Sequence, residues 1–480
     1  MQGGIFMSSR TRRHLTLANV RQQVVGINAR VPIFGGKRIR YVNLDNAATT
    51  PILKPVLQQV EDFLPWYAGV HRSTGHKSLV STTVYDEARE AIAEFFGAHP
   101  DHNIVIFGKN TTEVINLLAR RLCLSQGDII LGTMMEHHSN DLPWRQVAKV
   151  MRINVDREGR LDLHDLEQKL AMHHRRIKLV TISGASNVTG WINDIHYIAS
   201  LAHSYGIPIM VDGAQLAAHR AINLLDPKDP RHIDFLAVSG HKLYAPFGTG
   251  VLVGPRHLFE KGGPALVGGG TVKLVTLSQT SWTNPPFKEE AGSPNVVGAV
   301  ALAAALKILD ELDLGEIAHH EQSLTDYALQ HLGKVPGLKV YGSTRPGDPN
   351  RLGVISFALL GYHHALVAAI LAFHAGIGVR SGCFCAQPYL HYLLALDTKD
   401  MVRLQKELAL GDTQHLPGLV RISFGMYNNT KELHRLVGAL HEITSRPSNY
   451  WQDKLIWNEK LGCYMPKDQR LNPVPFSLHE

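Results

Sequence analysis

Two nearby stretches decide the fold: IPIMVDGAQ (207–215) and FLAVSGHKLYAPFGTGVLV (235–253). Residues 207–211, 235–239 and 250–253 are short runs without a charge. Runs this short, apolar on both faces, read as strands buried under helices on two sides. Working outward, 103–107, 128–133 and 179–183 read as further strands, and 111–122 and 195–205 as helices. The alternation predicts an α/β fold with a mostly parallel sheet. In such sheets ligands sit beyond the carboxyl ends of the strands. Polar residues collect at those ends: Asn110, Thr111 and Thr112; Glu136, His137 and His138; Ser186 and Asn187; Asp212 and Gln215; Ser239, His241 and Lys242. Their recurrence along one sheet predicts a single ligand site.

Lys242 follows an apolar strand and precedes a glycine-rich turn. A lysine so placed is partly desolvated, which lowers its pKa and makes its amine nucleophilic; the plainer alternative is a solvated surface lysine. Such an amine can condense with an aldehyde cofactor. Asp212 is either a turn former or the partner of a pyridine nitrogen, which it would keep protonated. Thr111 and Thr112 open a helix, so hydroxyls and free N–H groups converge there as at a phosphate site; the simpler reading is a helix cap. Phe107-Gly108-Lys109 is not a nucleotide-binding loop, because Asn110 follows the lysine and the upstream glycine is missing.

The chain has 480 residues, 44% hydrophobic and 19% charged. That composition excludes disordered and fibrous classes. Four cysteines, Cys123, Cys383, Cys385 and Cys463, are too few for a disulfide framework and point to a reducing, cytoplasmic setting. No apolar run reaches the ~18 residues of a membrane span, and the basic N-terminus lacks the apolar segment of a secretory signal. The net charge of +7 is mild for this length. The basic clusters at 10–13, 37–40 and 175–178 lack interleaved aromatics, so nucleic acid is not an expected partner. The 27 histidines are scattered, with neither HExxH nor paired CxxC, and no metal site is expected.

Beyond a glycine-rich loop at 262–270, residues 296–312 read as a long helix leading to a second unit. There 354–357 and 419–424 read as strands, and 365–374 and 430–444 as helices. The expected organisation is an arm and joining segment over 1–55, a large ligand-binding domain over 56–300, a smaller α+β domain over 301–446 and a surface-wrapping tail over 447–480.

The chain carries LDNAATTP (44–51), VHRSTGHKS (70–78), NTTEVINLLA (110–119), MEHHSNDLPW (135–144), SNVTG (186–190), VDGAQ (211–215), SGHKLYAPFGTGVL (239–252), EAGSPN (290–295), VRSGCFCAQP (379–388) and VRISFGMYNN (420–429). In this order they resemble the pyridoxal-phosphate enzymes of fold type I, in the class V aminotransferase group, and most of all the SUF-type cysteine desulfurases. The resemblance implies a large domain with a mostly parallel seven-stranded sheet between helices, and a smaller α+β C-terminal domain. It implies pyridoxal 5'-phosphate as cofactor, an amino acid substrate, a homodimer and a sulfur-acceptor protein. By position, Lys242 would bond to the cofactor, Asp212 would pair with its ring nitrogen, and Gln215 would contact its ring hydroxyl. His137 would stack on the ring and move protons. Thr112, with Thr111, Ser239 and His241, would hold the phosphate, and Ser293 would reach the phosphate of the other subunit. Asn187 and Arg421, with Arg380 nearby, would grip the substrate carboxylate; a guanidinium is its usual bidentate partner.

In the family pattern R-T-G-H-H-C-A the nucleophilic cysteine lies five residues after the arginine. Counting from Arg380 selects Cys385, with Ala386 following as the pattern requires. Cys383 and Phe384 replace the histidine pair, and R-S-G-C-F-C also resembles the molybdenum-cofactor sulfurases. The plain alternative is that both cysteines are small buried hydrophobes. The implied activity is cysteine desulfuration with a persulfide on Cys385. An aminotransferase, epimerase or lyase needing no cysteine is the alternative, since the fold does not separate them.

Overall fold

Seven strands form the central sheet: β1 (Asn103–Gly108), β2 (Ile129–Thr133), β3 (Lys149–Ile153), β4 (Ile177–Ser183), β5 (Ile209–Asp212), β6 (Phe235–Ser239) and β7 (Gly250–Pro255). The structure, a computed structural model, describes residues 14–71, 73–411 and 413–471, with 476 and 478. The spatial order is β1-β7-β6-β5-β4-β2-β3. Strands β2 to β6 are parallel, and β7 is antiparallel to both its neighbours. This is the expected mostly parallel α/β sheet.

Side chains alternate between two cores. Val105, Leu131, Val180, Val211, Leu236 and Val251 enter one, with residues of helices Ile195–Ser204 and Val296–Glu311. Ile106, Ile130, Leu179, Met210, Ala237 and Leu252 enter the other, with helix Thr111–Arg121 and Trp144. Both faces are covered, which is why the strands show no polar alternation. The edge strand β3 is the exception: Lys149 is exposed and Arg152 partly so, and its sequence does not read as a buried strand.

Register brings the strand ends level. Asp212 pairs with Ser183 of β4 and Ala237 of β6, and Ser239 pairs with Gly250 of β7. Gly250 is required there: a Cβ would meet the backbone of Asn110 at 2.6 Å. The close approach lets β7 start beside the helix Thr111–Arg121, whose N-cap Asn110 accepts the Glu113 N–H at 3.0 Å.

A second, antiparallel sheet has the order β8-β9-β11-β10, with β8 (Leu338–Tyr341), β9 (Val354–Leu359), β10 (Arg380–Gly382) and β11 (Leu419–Ser423). Helices His364–Ala375 and Thr430–Thr444 supply Leu366, Ile370, Leu433 and Leu436 to its core. The N-terminal segment joins this unit: Val42–Asn43 pairs in parallel with Ile377–Gly378. Residues 1–13, including the 10–13 basic cluster, lie outside the described residues, as does Arg72.

Two expectations about organisation are corrected. The tail does not simply wrap the surface: Trp451, Leu455 and Tyr464 are buried in the second core. Strands Leu455–Asn458 and Cys463–Pro466 form a hairpin there, and a short hairpin is too brief to show a hydrophobic period. The expected break at residue 300 falls inside helix Val296–Glu311, whose Ala301, Leu302, Ala305 and Leu309 continue the first core. Among the described residues no helix is long and apolar enough to cross a membrane. All four cysteines are free thiols.

Candidate active site

A cleft of about 220 Å³ opens at the carboxyl edge of the central sheet. It is lined by Thr111, Thr112, His137, Asn187, Asp212, Gln215, Ser239, His241, Lys242, Arg380, Cys385 and Arg421. Ser293 is not among its walls; it is exposed in the loop before helix Val296–Glu311.

Lys242 closes the helical turn Gly240–Lys242 that follows β6. Burial lowers its pKa to about 8; Arg421 acts in the same direction, while Asp212 and Cys385 oppose it. Asp212 is buried at the end of β5, and burial raises its pKa, against the pull of the Ala214 N–H and of Lys242. Its Oδ1 accepts that N–H at 3.0 Å. A buried carboxylate and a poorly solvated amine thus stand together, each favoured by the other's charge.

His137 is held down to about 3 by burial, then by Lys242, His138 and Arg421, so its ring is neutral at ordinary pH. Its Nδ1 accepts the Ser139 N–H at 3.1 Å, which places the ring hydrogen on Nε2. His241 is lowered to about 4 by burial and Lys242. The Thr111 N–H donates to Ser239 Oγ at 2.8 Å, and Thr112 Oγ1 lies 2.6 Å from Ser139 Oγ. Gln215 donates Nε2–H to the Ala47 carbonyl at 2.8 Å, while its Oε1 is buried without a partner.

The other wall comes from the second sheet. Arg421 of β11 is buried and sits opposite Arg380 of β10 in the ladder. Asp45 lies between them, at 3.0 Å from Arg421 Nη2 and 3.9 Å from Arg380 Nη1. Burial raises the Asp45 pKa and both arginines lower it. Arg421 also donates Nη1–H to the Asn187 carbonyl at 3.1 Å and lies 4.9 Å from the centre of the Phe384 ring. Its Nε has no partner. The Asn187 side chain lines the cleft, and its amide donates to the Phe384 carbonyl at 2.7 Å. It fixes the cysteine loop.

That loop is bent. Phe384 and Cys385 both adopt left-handed backbone, with φ of 54° and 55°. Non-glycine residues pay about 1–2 kcal/mol for this conformation, so the loop needs outside support. It has the Asn187 amide and the His138 N–H, which donates to the Cys385 carbonyl at 2.7 Å. The result exposes Cys385 in the cleft and turns Cys383 into an apolar cluster, where burial raises its thiol pKa.

Several partners escaped sequence reasoning. Asp45 and Ala47 lie in the 44–51 string, but no spacing ties them to residues 215, 380 and 421. Ser139 was legible only as the neighbour of two histidines. Glu136 stands at a polar strand end, and it proves to be a buried brace. It accepts from Thr133, Asn140 and Ser183, and burial raises its pKa to about 7 against those donors.

An enclosed lysine thus stands beside a buried aspartate, at strand ends and next to a helix N-terminus, the place where ligands bind in open α/β sheets. The aminotransferase class-V family model matches residues 42–436. The chain is 34% identical to a cysteine desulfurase of Haloferax volcanii over 408 residues, covering 83% of this chain and 88% of that protein. It is 35% identical to a cysteine desulfurase of Dickeya dadantii over 410 residues, covering 83% and 91%. A cysteine desulfurase structure from Thermococcus onnurineus superposes with a TM-score of 0.77 at 32% identity, covering 91% of this chain and all (100%) of that one. One from Escherichia coli, carrying an S-sulfonic acid, gives 0.73 at 32% identity, covering 90% and 99%. The chain belongs to the class V aminotransferase family.

Proposed function

We propose that this chain is a pyridoxal-5'-phosphate-dependent cysteine desulfurase that converts L-cysteine to L-alanine and keeps the sulfur on Cys385 as a persulfide. One observation carries the reading: an exposed cysteine and an enclosed lysine line the same cleft, and Cys385 is near enough to act electrostatically on Lys242 and Arg421. Amino-group chemistry at Lys242 and Asp212 alone needs no thiol there.

The residues fit the cofactor. Gln215 Oε1 is a buried acceptor lacking a donor, which a ring hydroxyl would supply. Asp212 is a buried carboxylate, which a protonated ring nitrogen would neutralise. Thr111, Thr112, Ser239 and His241 would hold the phosphate at the helix N-terminus. His137, being neutral, would lie against the ring, and Lys242 would bond to the aldehyde carbon. When bound, the cofactor supplies an electron sink for charge left at the substrate α-carbon.

The protein's own groups do the rest. Arg421, with an unpartnered Nε, and Arg380 bind the substrate carboxylate. Lys242, with its pKa near 8, takes and returns the α-proton. The Cys385 thiolate attacks the substrate sulfur. An S–S bond forms, the C–S bond breaks with its electron pair kept by carbon, and that carbon takes a proton. One thiol and one L-cysteine become one persulfide and one L-alanine.

Ser293 suits a homodimer, because it is exposed away from its own cleft and free to complete the phosphate site of a second copy. Leu274, Val275 and Leu277, exposed in the preceding hairpin region, offer an apolar surface for that contact. An acceptor protein would collect sulfur from the exposed Cys385, and four free thiols suit a reducing cytoplasm. The test is incubation with L-cysteine and a reductant, measuring alanine and sulfide together. Both appear in equal amounts with the wild type, and both fall in Cys385→Ala. If Cys385→Ala turns over an amino acid as fast as the wild type, an aminotransferase, epimerase or lyase replaces this reading.

A further inference from the structure

A second group of chemically capable side chains lies at the opposite edge of the same sheet. His203 is in the last turn of helix Ile195–Ser204, and His232 and Asp234 lead into β6. Asp234 Oδ2 accepts the N–H of Ile209, the first residue of β5, at 2.8 Å. The group therefore stands where β5 and β6 begin, whereas the cleft stands where they end.

His203 Nε2 lies 2.8 Å from Asp234 Oδ2, and His232 Nε2 lies 3.3 Å from Oδ1. The far nitrogens are engaged as well. His203 Nδ1 is 2.7 Å from the Pro230 carbonyl, and His232 Nδ1 is 2.7 Å from the Asp229 carbonyl. A carbonyl oxygen only accepts, so each Nδ1 carries a hydrogen and donates it. A neutral ring then turns the lone pair of Nε2 toward the carboxylate. Two lone pairs facing an anion at hydrogen-bond distance repel unless something positive lies between them.

Protons on both rings would supply that charge. They would also set two imidazolium cations face to face, since the rings stack with centroids 4.2 Å apart and planes 21° apart. One divalent ion satisfies both nitrogens and the carboxylate without that repulsion. The three ligand atoms lie within 4.8 Å of one another. Ligands bonded tetrahedrally to one zinc ion at about 2.0–2.2 Å stand about 3.3–3.6 Å apart; the His232 separation of 3.3 Å meets this, and the His203 separation of 2.8 Å opens by about half an ångström to admit the ion. An Nδ1–H given to a carbonyl is the outer contact that orients metal-binding imidazoles.

We propose that His203, His232 and Asp234 bind one divalent transition-metal ion of the zinc class, with further coordination positions open to water. Two imidazoles and one carboxylate favour zinc, nickel or iron(II) over calcium or magnesium. All three residues are partly exposed, so the ion enters from solvent. Bound there, it ties the end of helix Ile195–Ser204 to the starts of β5 and β6. The ligands are spread over 203–234 with no linear motif, which is why histidine spacing does not announce the site.

The test uses the full-length chain carrying Cys383→Ser and Cys385→Ser, which removes competing thiols at the cleft. The protein is stripped with a chelator, dialysed against Zn²⁺ and analysed for retained metal. The expected result is one tightly held zinc per chain, with affinity lowered at least about tenfold in both His203→Gln and His232→Gln. Zinc should also raise the Tm of the parent chain and leave the Tm of the two variants unchanged. Should a variant fail to fold, Co²⁺ added to the parent chain gives an independent readout, the visible absorption of nitrogen- and oxygen-bound cobalt. A parent chain that retains no zinc and shows no cobalt bands overturns the proposal, as does undiminished zinc binding in both glutamine variants.

Discussion

The floor and the rim of the cleft are built on different principles. Lys242, Asp212 and Ser239 on the floor stand at or just beyond strand ends, in a register set by the central sheet. Burial there moves protons: it lowers Lys242 and raises Asp212. Cys385 on the rim is exposed, and what holds it is its backbone, bent and tied by Asn187 and His138. Groups that hold charge and move protons gain from enclosure. On the proposed reading Cys385 hands an atom to another molecule, so it has to stay reachable and is positioned through its loop.

The largest expected effect breaks the floor. Lys242→Ala should lower alanine release from L-cysteine by about 10³-fold or more, because the proposed base and covalent anchor go together. Alanine release within tenfold of wild type would reduce the floor to a support. Breaking the rim comes next. Cys385→Ala should lower kcat by about 10²-fold, about 2.7 kcal/mol in barrier, with KM for L-cysteine little changed. Cys383→Ser should stay within about twofold of wild type, since its thiol is half-buried and raised. Intact-mass measurement after a cysteine pulse should find the added sulfur on Cys385.

A milder change loosens the rim without touching sulfur. Asn187→Ala removes the amide that holds the Phe384 carbonyl, and should cost about 1 kcal/mol of stability and about tenfold in kcat. Steady-state kinetics beside a denaturant titration separates the two. An unchanged kcat would show that the bent loop holds itself.

The smallest effect sharpens the floor through pH. In the cofactor-free chain Lys242 loses its proton near pH 8, against 10.5 when unfolded. Between those values the unfolded chain binds the extra proton, so this lysine's contribution to stability rises with pH. It is complete above pH 10.5 and lost as pH falls through 8. Allowing for water in the cleft, the swing is about 1–2 kcal/mol. Unfolding midpoints of wild type and Lys242→Met should diverge in that window; parallel curves would place Lys242 in solvent.

The floor was legible in the sequence, and the rim only in part. Strands β5 and β6 are apolar up to a polar last residue, Asp212 and Ser239, and β7 is apolar after its opening Gly250. The edge strand β3 escaped because one lateral neighbour and partial exposure let it carry Lys149 and Arg152. The buried tail residues escaped because a short hairpin has no long period. Cys385 is singled out by the family pattern that the string after Arg380 resembles, but the bend that exposes it depends on Asn187 and His138, far away in the chain. Asp45 shows no role in the sequence, because its partner Arg421 is 376 residues distant.

That separation bears on how the enzyme is born. Asp45 leaves the ribosome long before the arginine it steadies and the strand that receives Val42–Asn43. The central sheet, closed within residues 103–255, can assemble long before. The early segment must wait, unpaired, until residues 377–421 emerge to capture it. A nascent chain that has emerged only as far as residue 255 therefore owns the floor of the cleft without its far wall.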